Sequence, residues 1–284
     1  HRYGRRQRQM CIRDSHNASS EMQHPLGRQT IQLGDAHYLA AASAIDVVHN
    51  VRQADMDQGG EGAPLAPVYH AAVIDAMHNL RPAVLVNIGG VANLTCVSAA
   101  DGSGLIGFDT GPGNALLDDF MMSRFAVDCD RDGALAATGS ADQRILARWM
   151  QHPYFQQTWP KSLDRQDFAS LLTTAEFRRL AAAEAADAAA TLTCFTAQTI
   201  AHAIGKLPVT PQSVFVAGGG RRNGTMMQYL ASFLPMPLIT EPGDGYDADM
   251  LEAELMAFLA ARCHYRLPTS FPGTTGCRQP VSGG

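Results

Sequence analysis

No stretch of this chain constrains its fold more than residues 83–114. Residues 83–88 (AVLVNI) are a continuous apolar run of strand length, and Gly89-Gly90 turns the chain behind them. Residues 94–97 read as a second strand, Asp101-Gly102-Ser103-Gly104 as a hairpin-type turn, and residues 105–108 as a third strand. Three short strands joined by glycine turns predict an antiparallel meander. A helix is expected next: Asn114 can cap it, and Leu116, Leu117, Phe120 and Met121 supply one apolar face.

Around this centre the rhythm is helical. Residues 16–66 mix short apolar runs with turn signals, among them Gly59-Gly60-Glu61-Gly62 and Pro64. Residues 68–80 then carry helical spacing at Val68, Ala71, Ala72, Ile74 and Met77. Downstream, helices are expected over 141–151 and 175–204, the second Ala-rich and long enough to contain an interruption. Residues 213–217 (SVFVA) form a strand ending in Gly218-Gly219-Gly220. A helix over 223–233, a short strand over 237–239 and a strongly periodic helix over 249–262 complete the order. That order, βββα…αβαβα, describes an α/β unit with three antiparallel strands followed by parallel crossovers, a ribonuclease-H-like half. Such halves occur twice in the sugar kinase, actin and Hsp70 superfamily. There is no internal repeat and no low-complexity linker.

Composition narrows the function. The 284 residues are 46% apolar and 17% charged, which excludes disorder, collagen-like repeats and coiled coil. No apolar stretch approaches the roughly 20 residues that span a bilayer, so no membrane partner is expected. Residues 1–15 hold Arg2, Arg5, Arg6, Arg8 and Arg13 against Asp14, a net +4, leaving −9 for the rest of a chain whose total is −5. An acidic body argues against nucleic acid as a partner, because phosphate binding needs a basic surface. The basic leader has no apolar core and no small-residue cleavage site, so it is not a secretory signal. It is expected to be foreign to the fold, the alternative being a basic arm. Six scattered cysteines without a CxxC pair read as reduced thiols of a cytoplasmic protein. The histidines form no HExxH pattern, and no metal-ligating residues are assigned. Asp128-Cys129-Asp130-Arg131-Asp132-Gly133 begins like a calcium loop, but its twelfth position is Gly139 instead of the bidentate glutamate.

Three places could carry chemistry. Gly107-Phe108-Asp109-Thr110-Gly111-Pro112-Gly113-Asn114 sets an aspartate at the carboxyl end of a strand, before a tight turn into a helix N-terminus. Pro112-Gly113 suits a type II turn with a positive φ at glycine, and the helix dipole favours an anion there. Asp109 could deprotonate a nucleophile beside that phosphate, or merely hydrogen-bond its own turn. Gly89-Gly90 could cradle phosphate or form an ordinary hairpin. Gly218-Gly219-Gly220-Arg221-Arg222-Asn223 fails the dinucleotide fingerprint, yet bare backbone could take a flat base or ribose. In Asp249-Met250-Leu251-Glu252-Ala253-Glu254, Asp249 and Glu252 have capping-box spacing, which competes with a ligand role for Glu252.

Together NIGGVANLT, GFDTGPGN, HPYFQQTWPKSLDR, VAGGGRRN, DMLEAELMAFLA and FPGTTGCRQPVSGG, in that order, resemble the anhydro-N-acetylmuramic acid kinase family. The stretch IQLGDAHYLAAASAIDVVHNVRQADMDQGGEGAPLAPVYH extends the resemblance upstream to about His24. The resemblance implies a two-lobed sugar-kinase fold and a reaction with ATP, Mg2+ and water. That reaction opens the 1,6-anhydro ring of a cell-wall sugar, phosphorylates its O6 and feeds N-acetylmuramic acid 6-phosphate into peptidoglycan recycling. It implies Asp109 as general base and Glu252 as a sugar contact. Nucleotide and phosphate contacts would come from Gly89, Gly90, Gly111, Gly113, Asn114, Gly218, Gly219, Gly220 and Asn223. Arg52 and Asp55 fall among the implied sugar-lobe residues, and a homodimer is the implied assembly.

The family's initial phosphate hairpin of the type GLMSGTSxDG is absent, and His16-Asn17-Ala18-Ser19 stands where an HGQT-type segment is expected. Alignment with the family implies that about 70–90 residues are missing ahead of the match, a small domain's worth of chain. The expected organisation is a leader over 1–15, the remainder of an N-terminal lobe over 16–80, a complete ATPase lobe over 81–262, and a tail over 263–284 packing back toward the first lobe. A non-catalytic sugar or nucleotide binder is the alternative function, because half of the phosphate clamp would be missing.

Overall fold

The computed structural model describes residues 35–77, 81–99, 104–240 and 251–283. Helices α1 (Ala36–Ser43), α2 (Gln53–Asp57) and α3 (Ala66–Met77) precede strands β1 (Ala83–Ile88), β2 (Val91–Val97) and β3 (Leu105–Pro112). Helices α4 (Ala115–Phe125), α5 (Gln143–Trp149), α6 (Ala175–Ala183) and α7 (Ala185–Gly205) follow. Strand β4 (Ser213–Ala217), helix α8 (Gly224–Phe233), strand β5 (Leu238–Ile239), helix α9 (Leu251–His264) and the single turn α10 (Pro272–Thr275) close the order.

The strands make one mixed sheet in the order β3-β2-β1-β4-β5. The expected meander is its antiparallel half, and β4 and β5 add in parallel beside β1. This is the mixed α/β architecture read from the sequence. Strand periodicity sorts the side chains into two faces. Val84, Val86, Leu94, Phe108, Val214 and Val216 pack under α7 and α8, while Ala83, Leu85, Val97, Leu105 and Phe215 pack under α3 and α9. A third cluster gathers Phe120, Trp149, Phe155, Phe168, Phe177 and Phe195 among α4 to α7.

Several boundaries differ from the sequence reading. Strand β2 begins at Val91 instead of residue 94, and β3 runs on to Pro112 instead of stopping at 108. Sheet pairing with β2 through Val91↔Pro112 overrides the glycines, which read locally as a turn. The helical run over 175–204, long enough for an interruption, divides at Glu184, whose backbone is extended at φ −140° and ψ 93°. No proline or glycine marks that break. Gly139 approaches so closely that a Cβ there would lie 2.2 Å from the Ala186 carbonyl, and Asp187 accepts the Ser140 N–H at 2.8 Å. The calcium-like loop spends Asp130 on the chain itself, its two oxygens accepting the Leu135 and Ala136 N–H groups at 2.8 and 3.0 Å. The hairpin residues 101–103 lie outside the described residues.

Candidate active site

Register places the chemistry. Asn87 of β1 stands opposite Asn93 of β2, which stands opposite Asp109 of β3, and Ala217 of β4 continues the row. Directly opposed residues share a face, so two asparagines and an aspartate form a polar ladder near the carboxyl ends of β1, β3 and β4. Carboxyl ends of parallel strands are where open α/β sheets bind ligands. A bulge between Ala92 and Asn93 follows at once, leaving Thr110 as the extra residue, with its Oγ1 donating to the Ala92 carbonyl at 3.1 Å.

Asp109 lies on an edge strand whose open side is covered by the segment 153–163. Its N–H donates to the Lys161 carbonyl at 3.2 Å, and the Tyr154 hydroxyl donates to its carbonyl at 2.6 Å. Oδ2 accepts the Leu163 N–H at 2.8 Å, while Oδ1 has no partner among the described residues. Burial pushes the carboxyl up to about 7, against the smaller lowering effects of the Leu163 N–H and the Lys161 charge. The arrangement is that of a proton acceptor poised near neutral pH, with one oxygen free.

The glycines beside it serve close approach instead of positive φ. Gly113 is absent from the positive-φ glycines, so the expected type II turn does not form. A Cβ at Gly113 would lie 2.2 Å from the Gly89 carbonyl oxygen, and one at Gly111 would lie 2.7 Å from Thr199 Oγ1. Thr196, on the same helix α7, donates to the Gly113 carbonyl at 2.7 Å and locks the junction. The N–H groups of Gly113, Asn114 and Ala115 donate to the carbonyls of Gly90, Gly89 and Gly90 at 2.9, 2.7 and 3.2 Å. Those amides are therefore spent within the chain. Asn114 does not cap α4 with its side chain, as the sequence suggested; its Nδ2 reaches the Ile88 carbonyl at 3.4 Å. Beside the glycine pair, Arg165 Nε sits where a Gly90 Cβ would be 3.5 Å away, with its guanidinium paired to Asp119 at 2.7 Å.

The triple-glycine turn closes over the end of β1. Gly218 has φ +79°, and a Cβ on it would come within 2.5 Å of Asn87 Oδ1. A Cβ on Gly220 would strike Ile88 Cγ2 at 2.3 Å, whereas Gly219 is exposed. Asn223 is used structurally: its Oδ1 accepts the Met226 N–H at 2.9 Å and caps α8.

The residues implied for the sugar lobe are engaged within the chain. Asp55 is buried, with Oδ1 accepting from Ser270 and Thr275 hydroxyls at 2.5 and 2.6 Å and Oδ2 from the Gly62 N–H at 2.8 Å. Arg52 donates from Nη1 to the Gly62 carbonyl at 2.7 Å, so both residues grip one glycine. Glu252 lies in the first turn of α9, with its side chain outside the described residues, as is Asp249. Two residues later Glu254 accepts the Tyr69 hydroxyl. Asn87, Asn93, Tyr154, Lys161 and Arg165 were not singled out from the sequence. All five sit inside two of the motifs quoted above, but no local periodicity marks them.

A family model described as anhydro-N-acetylmuramic acid kinase matches residues 15–284. A protein of that name from Rhodopseudomonas palustris (strain HaA2) is 47% identical over 265 residues, covering 93% of this chain and 70% of the relative. One from Caulobacter vibrioides is 44% identical over 256 residues, covering 90% and 67%. This chain therefore spans about 70% of the length of the first curated relatives it matches. Among solved structures, an activator of 2-hydroxyisocaproyl-CoA dehydratase from Clostridium difficile, with bound ADPNP, aligns at 16% identity with a TM-score of 0.45, over 69% of this chain and 66% of that one.

Proposed function

The chain belongs to the anhydro-N-acetylmuramic acid kinase family of carbohydrate phosphotransferases, and from that premise we propose that Asp109 is its general base in a hydrolytic phosphorylation. Asp109 Oδ1 takes a proton from water. The water oxygen bonds to the anomeric carbon of 1,6-anhydro-N-acetylmuramic acid as the bond from that carbon to O6 breaks. The freed O6 takes the γ-phosphoryl group of ATP, and ADP leaves with N-acetylmuramic acid 6-phosphate as the sugar product. One observation carries this reading: a carboxylate with one unengaged oxygen, raised to about 7, stands at the end of a polar ladder beside two glycine turns. A base works best when its pKa lies near the operating pH.

Phosphoryl transfer depends on positioning and electrostatics more than on covalent chemistry. Bare backbone at Gly219, with Gly218 and Gly220 folded onto β1, leaves room for the nucleotide. Asn87 and Asn93 offer neutral polar groups between that turn and Asp109. Among the described residues no group of three His, Cys, Asp or Glu side chains could cage a metal ion. Mg2+ in such enzymes is held largely by substrate phosphates and water, so no residue here is assigned to it and no step runs through it. Among the described residues no helix is long and apolar enough to cross a membrane. A cytoplasmic homodimer is the setting proposed, which sedimentation of the purified protein and cell fractionation measure.

The test follows ADP and sugar 6-phosphate formation from ATP and 1,6-anhydro-N-acetylmuramic acid. Turnover is expected for the native chain and a loss of about 10²–10⁴-fold for Asp109→Asn. Equal turnover in both removes Asp109 as the base. Sugar binding without turnover in either makes the protein a binder.

A further inference from the structure

Strand β3 is an edge of the sheet, so the outward N–H and C=O groups along it have no strand partner. At Asp109 both are filled by one segment, 153–163. The Lys161 carbonyl accepts the Asp109 N–H at 3.2 Å, as a further strand would. The Asp109 carbonyl is met by a side chain instead, the Tyr154 hydroxyl, at 2.6 Å. The same segment returns with the Leu163 N–H to Oδ2 at 2.8 Å, so it holds both the main chain and the carboxylate of a single residue. Thr110, the extra residue of the bulge, comes next and interrupts the ladder with β2. The Asp109–Thr110 peptide is thus held from its outer side by Tyr154.

We propose that Tyr154 is a positioning residue for Asp109: its hydroxyl fastens the segment 153–163 to the edge of β3, and the fastened segment aims the carboxylate through the Leu163 N–H, leaving Oδ1 for water. This deepens the assignment of Asp109 as general base and rests on it. The donor is itself rigidly held. Tyr154 is 6% exposed, with its ring edge-on to Phe155 and Phe168 at 5.9 and 6.0 Å. Its N–H donates to His152 Nδ1 at 3.3 Å, and Lys206, at the end of α7, donates to the next carbonyl, that of Phe155, at 2.5 Å. Farther along the segment, Trp159 stacks on Phe108 at 5.5 Å and 10°. Burial, then the carboxylates of Asp109 and Asp167, push the phenol above the ordinary tyrosine range, so it stays a donor at neutral pH. Water could satisfy an exposed edge carbonyl equally well. A packed tyrosine does more, because it ties that carbonyl to the same segment that grips the carboxylate.

Tyr154→Phe keeps the ring and deletes the donor. Its kcat is expected to fall by about 10–100-fold, with the KM values for ATP and sugar unchanged, because misplacing a reacting group by about 1 Å costs that order of rate. In the Asp109→Asn background the same change should lower the residual turnover no further, since a residue acting through Asp109 has nothing left to aim. A merely structural loss would multiply instead. The measurement that needs no substrate is amide hydrogen exchange: Leu163 should exchange faster in Tyr154→Phe, while the amides of β1 and β2 keep their native rates. Where Tyr154→Phe fails to fold, Trp159→Leu loosens the same segment from farther along, and the same signatures are expected of it. Unchanged kcat, a loss that multiplies with that of Asp109→Asn, or a Leu163 amide indifferent to the folded variant overturns the proposal. Faster exchange at Leu163 together with full turnover in Asp109→Asn leaves the fastening in place and refutes the general-base reading instead.

Discussion

The half-buried Asp109 and the buried His70 are ionisable side chains on one face of the sheet, and they bend the pH dependence of stability in opposite directions. The Asp109 carboxyl is held up to about 7, so between pH 4 and 7 the native protein keeps a proton that the unfolded chain releases. Stability falls as pH rises through that window. In Asp109→Asn the fall should flatten, measured as the difference between urea midpoints at pH 5 and pH 8. His70 faces Thr95 Oγ1 at 2.8 Å, and burial lowers it from 6.5 to about 4. Here the unfolded chain binds the extra proton, so stability is lost as pH falls from 6.5 toward 4, by roughly 3 kcal/mol in all. His70→Gln should flatten that acid limb and leave the alkaline one untouched. The general-base role proposed for Asp109 predicts a rate that rises with pH through a midpoint near 7 as the carboxyl ionises, read from kcat/KM across pH 5.5–8.5.

At the scale of elements, the sheet and α7 meet through Gly111, and the meander and α4 meet through Gly113. The two glycines differ in what a methyl group would hit. At Gly111 the obstacle is the Thr199 side chain at 2.7 Å, whereas at Gly113 it is the Gly89 carbonyl at 2.2 Å. Gly111→Ala should cost about 1–3 kcal/mol, the usual range for overpacking, and pairing it with Thr199→Ala should recover most of that. Gly113→Ala should cost more and find no such rescue, because main chain cannot be trimmed. Urea unfolding of the two single variants and the double variant decides this. The glycines themselves were legible in the sequence, but their purpose was not. Pro112-Gly113 reads locally as a turn, and pairing with β2 keeps Pro112 in the strand. Glu184 is the converse case. The length of the alanine-rich run allows an interruption but does not say where; the break falls at Glu184, with residues 139–140 packed against the turn that follows it.

Across the whole molecule, Asp55 ties the chain's two ends of described structure together. Its partners Ser270 and Thr275 are 215 and 220 residues away, and Gly62 closes the grip. The tail adds the Arg278 N–H donating to the Gln58 carbonyl and the Thr275 carbonyl accepting from the Glu61 N–H, at 3.1 and 2.8 Å. Asp55→Ala strands three donors in a buried place and should destabilise the protein by roughly 2–5 kcal/mol. It should also speed hydrogen exchange at Glu61 and Gly62 more than in the sheet, which separates a local release from global unfolding.

What the sequence determined by itself was whatever a local pattern can report. Strand period and glycine placement marked β1 and β4 residue for residue, and the order of elements marked the mixed sheet. Only the tertiary structure decided the rest. It lined up Asn87, Asn93 and Asp109 across three strands, carried Leu163 back over 54 residues to a carboxylate oxygen, and turned Asp55 from a candidate ligand into a buried tie. The physical reason is common to all three. A hydrogen bond or a cross-strand neighbour between residues far apart in the chain depends on register and loop path, and neither leaves a period in the sequence.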